Sequence, residues 1–135
     1  MLKKRLATLM AAGAMLIGSG ATATTVFAGN TGNTTWSNSY SVWSANDHTP
    51  ARSKENKSAY FNHTKTTDVG YITIWAALYD GRDVSSGHSY RSYAGDITHL
   101  YNTAVENYGK GVSVRIESQS YSKGSAHGWW SPDCK

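Results

Sequence analysis

Apolar and polar residues alternate with a period of two in three separate stretches of the chain. In residues 36–43, a tryptophan, a tyrosine and a valine share one parity and three serines take the other. Residues 58–65 and 112–121 alternate in a similar way. Because neighbouring side chains on a strand point to opposite faces of a sheet, these stretches predict three strands.

Residues 69–79 carry apolar side chains on both faces, which is typical of a central strand. One face holds Ile72, Ile74, Ala76 and Leu78, and the other holds Tyr71, Trp75 and Tyr79 with two smaller residues between them. The following Asp80-Gly81 pair predicts a type I′ hairpin turn, with a return strand from about Arg82. A further short strand is expected within residues 89–93.

One stretch has helical periodicity instead. Its apolar residues recur at i, i+3, i+4, i+7, i+8 and i+11 from Ile97 to Tyr108. Asp96 is placed to cap the start of a helix there, and Gly109 its end. We predict a short helix near residues 97–108, with a turn between strands as the alternative because several residues of this stretch are poor helix formers.

These elements together predict an all-β fold. Five or six short strands, separated by turn residues and joined by at most one helix, favour an antiparallel β-sandwich or a small barrel. Residues 45–57 are almost entirely polar and predict a surface loop. Residues 29–35 contain only Gly, Asn and Thr and predict a flexible lead-in to a single domain over residues 36–135.

The first 28 residues have the pattern of a secretory signal peptide. Basic residues at positions 3–5 precede an apolar run over residues 6–17, and residues 26–28 form a small-x-small cleavage pattern. We therefore predict cleavage after Ala28, secretion of the remainder, and no transmembrane span in that remainder.

The leader also accounts for most of the net positive charge. It holds three of the 13 basic residues, so the remainder carries 10 basic and 9 acidic side chains, about +1 in place of +4. Proteins that bind nucleic acid usually carry an excess of basic residues that neutralise phosphates. Residues 29–135 have no such excess, so we expect no nucleic-acid partner.

Cys134 is the single cysteine of the chain, so it has no partner for an internal disulfide. Its place next to the C-terminus favours an exposed residue without a special role. The alternative is an intermolecular disulfide or a reactive thiol in a protein that is otherwise expected to be monomeric.

The histidines are the first residues to consider for chemistry. They are His48, His63, His88, His99 and His127. None has the spacing of a metal-binding motif, and we predict no metal site and no cofactor. Residues 87–91 share the beginning of the Gly-x-Ser-x-Gly nucleophile motif, but Arg91 replaces its last glycine, which indicates a chance match.

A small secreted hydrolase of ribonuclease type remains an alternative. Glu106 or Glu117 with a histidine would supply its acid and base, and Arg115 its phosphate clamp. Only composition supports this set, because most domains of this size contain such a trio.

The aromatic content is more distinctive. Residues 29–135 hold five Trp, nine Tyr and one Phe, but only two Leu and no Met. Most of these rings are needed for the core, and the remainder are available to bind sugar rings or apolar groups. The candidate ligand-binding residues are Tyr71, Trp75, Tyr79, Trp129 and Trp130. Because adjacent side chains on a strand point oppositely, one of the last two is expected at the surface.

Two segments and the C-terminal end carry a resemblance to a known group. Residues 102–109, residues 112–116 and the motif Trp130-Ser131-Pro132-Asp133 resemble small exported proteins of Bacillus and related Gram-positive bacteria that are uncharacterised. The likeness covers residues 60–133 and implies a secreted β-rich fold, without implying any catalytic residue. The leader, the strand at residues 36–43 and His48 are more weakly similar to bacteriocins of the lactococcin 972 type, which are exported β-sandwiches.

The sequence therefore favours a secreted, non-catalytic binding protein, outside the cell or at the cell envelope, whose ligand it does not identify. The candidate ligands are a carbohydrate and another component of the cell envelope. A bacteriocin-like antimicrobial protein or toxin and the small hydrolase are the two alternatives.

Overall fold

The computed structural model describes residues 29–135, so the predicted signal peptide lies outside the described residues. Within them, nine strands and one short helix follow one another along the chain. The strands are β1 (Thr34–Tyr40), β2 (Asn46–His48), β3 (Arg52–Ser53), β4 (Tyr60–Thr67), β5 (Tyr71–Leu78), β6 (Tyr90–Tyr93), β7 (Ile97–Leu100), β8 (Ser113–Gln119) and β9 (Gly124–Ser131), and the helix is α1 (Ala104–Tyr108).

The strands form two antiparallel sheets that pack face to face. The first sheet, sheet A, has the order β1-β9-β4-β7. The second, sheet B, has the order β2-β8-β5-β6, and β3 continues the edge of β2 by pairing with the same strand β8. The prediction of an all-β fold with one short helix is confirmed.

The core between the sheets combines aromatic, β-branched and polar side chains. Its buried apolar residues include Trp36, Tyr60, Ile72, Ile74, Leu78, Leu100, Val114, Ile116 and Trp130. The strand predicted to be central is β5, which lies between β8 and β6 and buries the face of Ile72 to Leu78. Burial of these side chains supplies the main stabilising term.

Polar side chains in the core form hydrogen bonds with one another. The indole Nε1 of Trp36 donates to Asn62 Oδ1 (2.9 Å), and Asn62 Nδ2 donates to Thr64 Oγ1 (3.0 Å). The Thr64 hydroxyl then meets the hydroxyl of Ser92 on the opposite sheet (2.6 Å). A buried polar group costs free energy mainly when it is unpaired. Because Asn62 and Thr64 are paired in this series of hydrogen bonds, β4 can direct these polar side chains into the core.

The prediction of a surface loop at residues 45–57 is wrong. This segment forms the edge of sheet B through β2 and β3, separated at Pro50. Thr49 bridges the gap, since its N–H donates to the carbonyl of Ile116 (3.0 Å) and its hydroxyl accepts from the N–H of the same residue (3.0 Å). Backbone pairing, which needs no apolar side chains, holds this edge in place.

The helix is shorter than the predicted stretch of residues 97–108. The first four residues of the predicted stretch form β7, which pairs with β4. The helix begins only at Ala104. Asp96 caps no helix, and its carboxylate accepts the backbone N–H of Tyr93 (2.8 Å) in the turn before β7. Gly109 ends the helix with φ of 93°, as predicted.

The turn after β5 also differs from its prediction. A type I′ turn needs positive φ at both central residues, but only Gly81 has one, at 91°. The N–H groups of Leu78 and Gly81 donate to the carbonyls of Arg82 and Leu78 (2.8 and 2.9 Å), which closes a wider turn. The return segment forms only an isolated bridge, between Ala77 and Asp83.

The two ends of residues 29–135 meet at a buried ion pair. Lys54 is fully buried, and its ammonium donates to Asp133 Oδ1 (2.8 Å) and to the carbonyls of Ser58 (2.5 Å) and Pro132 (2.6 Å). Asp133 Oδ2 also accepts the backbone N–H of Asn30 (2.7 Å). Hydrogen bonds therefore fix residues at both ends of the domain, including part of the predicted lead-in.

The ion pair explains the C-terminal motif in structural terms. Trp130 fills the core, Ser131 is buried with its hydroxyl donating to the carbonyl of Asp133 (2.8 Å), and Asp133 pairs with Lys54. The motif residues therefore contribute to the packing of the domain, and none of them lines the candidate site described below.

Candidate functional site

A groove of about 640 Å³ lies where the edges of the two sheets meet. We call it the Trp129 groove. It is lined by Thr35, Trp36, Ser37, His48, Thr49, Pro50, Lys65, His127, Gly128 and Trp129. These residues come from β1, β4 and β9 of sheet A and from β2 and the connection that follows it in sheet B. Only the pairing of distant strands brings them together.

Trp129 faces outward because of its parity on β9. Ala126, Gly128 and Trp130 alternate with it and are buried. Its register partners are Thr35 on β1 and His63 on β4, whose side chains share the outer face of sheet A. The half-buried indole therefore stands at the centre of an exposed sheet face.

Two contacts hold the Trp129 ring. The imidazole of His63 meets it nearly edge-on, with the ring centroids 4.7 Å apart. The ammonium of Lys65 lies 5.1 Å from its centroid, within range of a cation–π contact. Lys65 is the extra residue of a β-bulge, since Thr64 pairs with Gly128 and Thr66 pairs with His127. The bulge places this cation over the ring, so the groove has an ordered aromatic residue beside a positive charge.

Gly128 allows β9 and β4 to approach closely at this point. A Cβ atom at position 128 would collide with the carbonyl oxygen of His63 and lie 2.9 Å from Cζ2 of Trp36. The glycine therefore lets the Trp36 ring pack under the groove while Trp129 stands above it.

The walls of the groove carry hydrogen-bonding groups and cationic or neutral side chains. Thr35, Ser37 and His127 are on the side of sheet A, and His48 is on the side of sheet B. Among the described residues that line the groove, none is an aspartate or a glutamate. This lining suits a ligand with many hydroxyl groups and offers no carboxylate for general acid catalysis.

The structure separates the five predicted ligand-binding residues. Trp130 is fully buried in the core, so its ring is excluded from any ligand-binding surface, and the prediction that includes it is corrected here. Trp129 supplies the predicted surface member of the pair. The alternation of adjacent residues on β9 explains both positions.

Tyr71, Trp75 and Tyr79 lie away from the Trp129 groove. Tyr71 and Trp75 are half-buried on the outer face of sheet B, and Tyr79 is 52% exposed just beyond the end of β5. The Tyr71 ring packs against Tyr93, with centroids 5.4 Å apart, and Arg91 lies 4.7 Å from its centroid. Tyr71 also lines a pocket of about 300 Å³ with Gln119 and other residues of that end of sheet B. The five residues therefore do not form one site.

The predicted hydrolase residues are brought together in part. His48 on β2 and Glu117 on β8 are directly opposite one another, and Trp75 on β5 is opposite Glu117 on its other side. Arg115 Nε donates to Glu117 Oε2 in an ion pair. Directly opposed residues have Cβ atoms about 5 Å apart. No hydrogen bond joins the His48 and Glu117 side chains within residues 29–135, and His48 Nδ1 lies 2.8 Å from the carbonyl oxygen of Thr49.

The remaining chemical candidates gain no such partner. Glu106 is exposed on α1, and no hydrogen bond joins it to a histidine within residues 29–135. Residues 87–91 lead into strand β6 where the nucleophile motif would require a helix. His88 packs on Tyr101, with centroids 4.7 Å apart. In the described part of the chain, no three side chains of His, Cys, Asp or Glu are grouped as a metal site requires.

Cys134 is half-buried in a second pocket of about 300 Å³, beside Phe61 and His99. Its N–H donates to the Ser58 hydroxyl (2.9 Å), so the backbone here is fixed. Burial raises the pKa of the Cys134 thiol, and the nearby Lys54 ammonium offsets part of that effect. The expectation of an exposed residue next to the C-terminus is therefore wrong.

Sequence reasoning missed His63, Lys65 and His127 as neighbours of Trp129. His63 was visible in the alternation of residues 58–65, but nothing in that pattern showed which face was buried. Lys65 depends on a bulge, and His127 on the pairing of β9 with β1, neither of which has a local signal.

Comparison with known proteins identifies a family. The model of a family described as "Protein of unknown function (DUF2712)" matches residues 24–134. No curated protein and no solved structure matches this chain. Separately, within residues 29–135, no helix combines the length and the apolar character needed to cross a membrane.

Proposed function

For this chain, which belongs to the DUF2712 family of proteins of unknown function, we propose a non-catalytic binding role outside the cell or at the cell envelope. Its ligand is a chain of sugar units that lies in the Trp129 groove. Secretion by cleavage after Ala28 and kinship with exported Gram-positive proteins are part of this proposal.

The position of Trp129 carries the proposal. An indole that is held in place, half-exposed and set in an open groove provides a flat apolar surface on which the C–H face of a sugar ring can stack. The hydroxyls of Thr35 and Ser37 and the imidazole of His127 stand beside it for the sugar hydroxyls. A ring fixed before binding loses little conformational entropy when the ligand arrives.

The charges of the groove favour a ligand with acidic groups. Lys65 contributes a positive charge, and the lining contains no carboxylate. Glycosidic hydrolysis ordinarily requires a pair of carboxyl groups across the scissile bond. This lining therefore supports retention of an acidic polysaccharide over its cleavage.

Sedimentation with insoluble cell walls tests this proposal. The probes are Gram-positive sacculi with and without their phosphate-bearing polymers. We expect the chain starting at Gly29 to sediment with intact sacculi and to do so less with stripped ones. Replacing a central aromatic residue of a binding site typically costs about tenfold or more in affinity, which is the loss we expect for Trp129→Ala.

Trp75→Ala is the matched control, because Trp75 is also a half-buried tryptophan on an outer sheet face, but of sheet B. It should bind as the unchanged protein does. Equal binding by Trp129→Ala and the unchanged protein, or no sedimentation with either preparation, would refute the proposal.

A second candidate function rests on the position of His48 opposite Glu117 and on the ion pair of Glu117 with Arg115. In that reading the protein is a small hydrolase of phosphodiesters, with Glu117 as base, His48 as acid and Arg115 as phosphate clamp. Cleavage of mixed-sequence RNA that is abolished in both Glu117→Gln and His48→Ala, but retained in His88→Ala, would support it. Absence of cleavage by the unchanged protein would exclude it.

The bacteriocin-like alternative concerns the target rather than the site. Binding of an envelope polysaccharide is compatible with an antimicrobial role. Purified protein that clears lawns of related Gram-positive species would support this reading, and growth of a broad panel without inhibition would exclude it.

A further inference from the structure

Val42 and Trp43 form the tip of the turn between β1 and β2, and their side chains are 66% and 96% exposed. The turn is closed on both sides, since Ser41 N–H donates to the carbonyl of Ser44 (3.0 Å) and Ser44 N–H donates to that of Ser41 (3.2 Å). The Ser41 hydroxyl also accepts from Ser44 N–H (3.0 Å). An ordered turn therefore presents two adjacent apolar side chains to solvent.

The neighbouring connection between β8 and β9 adds a tyrosine and a lysine. Ser120 N–H donates to the carbonyl of Ala45 (2.9 Å), which joins the two connections. Tyr121 is 66% exposed, and Lys123 is exposed as well. We call the set of Val42, Trp43, Tyr121 and Lys123 the aromatic tip.

Tyr121 contacts the domain through its hydroxyl, which accepts from Gln119 Nε2 (3.3 Å), but Trp43 contributes little to the packing of the domain. Trp43 contacts almost nothing, and truncating its side chain would remove little buried area. Single exposed apolar residues are common, but an almost fully exposed tryptophan next to an exposed valine is an apolar surface in need of a partner. The aromatic tip lies on the connections beyond the strand ends, and none of its residues lines the Trp129 groove.

We propose that the aromatic tip inserts into the interfacial region of a lipid bilayer. Tryptophan and tyrosine concentrate at the level of the headgroups, where one part of the ring is apolar and another can form hydrogen bonds. Lysine can place its charged end among the headgroups while its methylene chain covers apolar surface. The residues of the tip have these chemistries in one place.

The small area of the tip argues for a lipid partner over a protein. A tryptophan buries at most about 250 Å², whereas a specific protein interface buries at least about 1,000 Å² in total. A convex tip also needs a partner that yields to it, which a bilayer does. Two apolar side chains provide only weak, reversible attachment.

Electrostatic attraction contributes little. Lys123 is the basic residue of the tip, and the carboxylates of Asp47 and Asp68 lie near the same end of the sheets, bonded to the N–H groups of Ser39 (2.9 Å) and Ser125 (2.6 Å). Binding should therefore depend more on the apolar side chains than on anionic lipid.

Sedimentation with lipid vesicles tests this proposal independently of any polysaccharide. The probes are vesicles of phosphatidylcholine alone and of phosphatidylcholine mixed with phosphatidylglycerol. The chain starting at Gly29 is used because the apolar residues 6–17 would bind lipid themselves. We expect both vesicles to bind the protein, and Trp43→Ser to lower the partition coefficient about tenfold, as expected for withdrawing one large apolar side chain.

Tyr79→Ser is the matched control. Tyr79 is an exposed aromatic residue that follows the last residue of β5, at the end of sheet B away from the aromatic tip. It should partition as the unchanged protein does. Brominated lipid should quench the tryptophan fluorescence of the unchanged protein more than that of Trp43→Ser. The other four tryptophans remain in this variant, but they lie outside the aromatic tip. Because Trp43 is exposed, the variant should keep the unfolding temperature of the unchanged protein.

Three outcomes would overturn the proposal. They are no partition into either vesicle, equal partition of Trp43→Ser and the unchanged protein, and self-association of the protein that Trp43→Ser abolishes. Loss of lipid binding in Trp43→Ser with intact binding to sacculi would leave the proposed function standing, which keeps the two proposals distinguishable.

Discussion

At the scale of single residues, the buried pair Lys54 and Asp133 is the most consequential contact of the domain. Both side chains are fully buried, and the Lys54 ammonium donates three hydrogen bonds. Burial lowers the pKa of Lys54, and the Asp133 carboxylate offsets part of that effect. The ion is tolerated only because its partners remain in place.

We expect Asp133→Asn to destabilise the domain by about 3 kcal/mol, because it leaves a buried charge without its counter-ion. Urea denaturation measures this loss. The control is Asp80→Asn, which removes the carboxylate of an exposed pair with Arg82 and should leave the midpoint unchanged. Equal midpoints for the two variants would contradict the importance given to the buried pair.

Cys134 provides a prediction about pH. Since burial raises its pKa, the folded protein holds less thiolate than the unfolded chain at neutral and mildly alkaline pH. Alkylation by iodoacetamide should therefore be slower in the native protein than in urea. The ratio of the rate in urea to the native rate should fall towards one as pH rises through the raised pKa. Native and unfolded protein reacting at the same rate near neutral pH would show that the thiol is fully accessible.

At the scale of elements, the contact between β4 and β9 sets the geometry of the groove. Gly128→Ala should destabilise the protein by about 2 kcal/mol, because the new methyl group meets the His63 carbonyl and the Trp36 ring. Thermal unfolding measures the change. Gly32→Ala is the control, since no atom lies within 4 Å of its added Cβ. A Gly128→Ala variant as stable as this control would mean that the two strands can separate without cost.

The elements differ in how far the sequence predicted them. Strands with apolar alternation, such as β1 and β8, were predicted because burial of one face leaves a local signal. The edge strands β2 and β3 were not, since they are held by backbone pairing to β8 and need no apolar side chains. Residues 97–100 fit the period of a helix, but their pairing with β4 overrides that local preference.

The candidate site was harder to predict than the strands. Strand parity predicted that one of Trp129 and Trp130 lies at the surface, without showing which of the two. Its neighbours depend on the register of three strands and on the bulge at Lys65, and these are properties of the assembled sheet. Val42 continues the alternation of β1, so the sequence pattern did not show that the strand ends at Tyr40.

At the scale of the whole molecule, the sandwich presents different surfaces on different sides. The Trp129 groove follows the seam between the sheets, and the aromatic tip lies on connections at one end of them. A domain of this kind can hold a polysaccharide in its groove while its tip contacts a bilayer. The two proposals rest on different surfaces, so each is tested separately.

Mapping of a bound ligand by NMR tests the central claim most directly. The measurement follows the backbone amide shifts of the labelled chain starting at Gly29 during titration with soluble fragments of an acidic Gram-positive cell-wall polysaccharide. We predict saturable shifts that cluster at Thr35, Ser37, Lys65, His127 and Trp129. Shifts that cluster instead around Glu117 and Arg115, or no shifts at saturating concentration, would contradict the account.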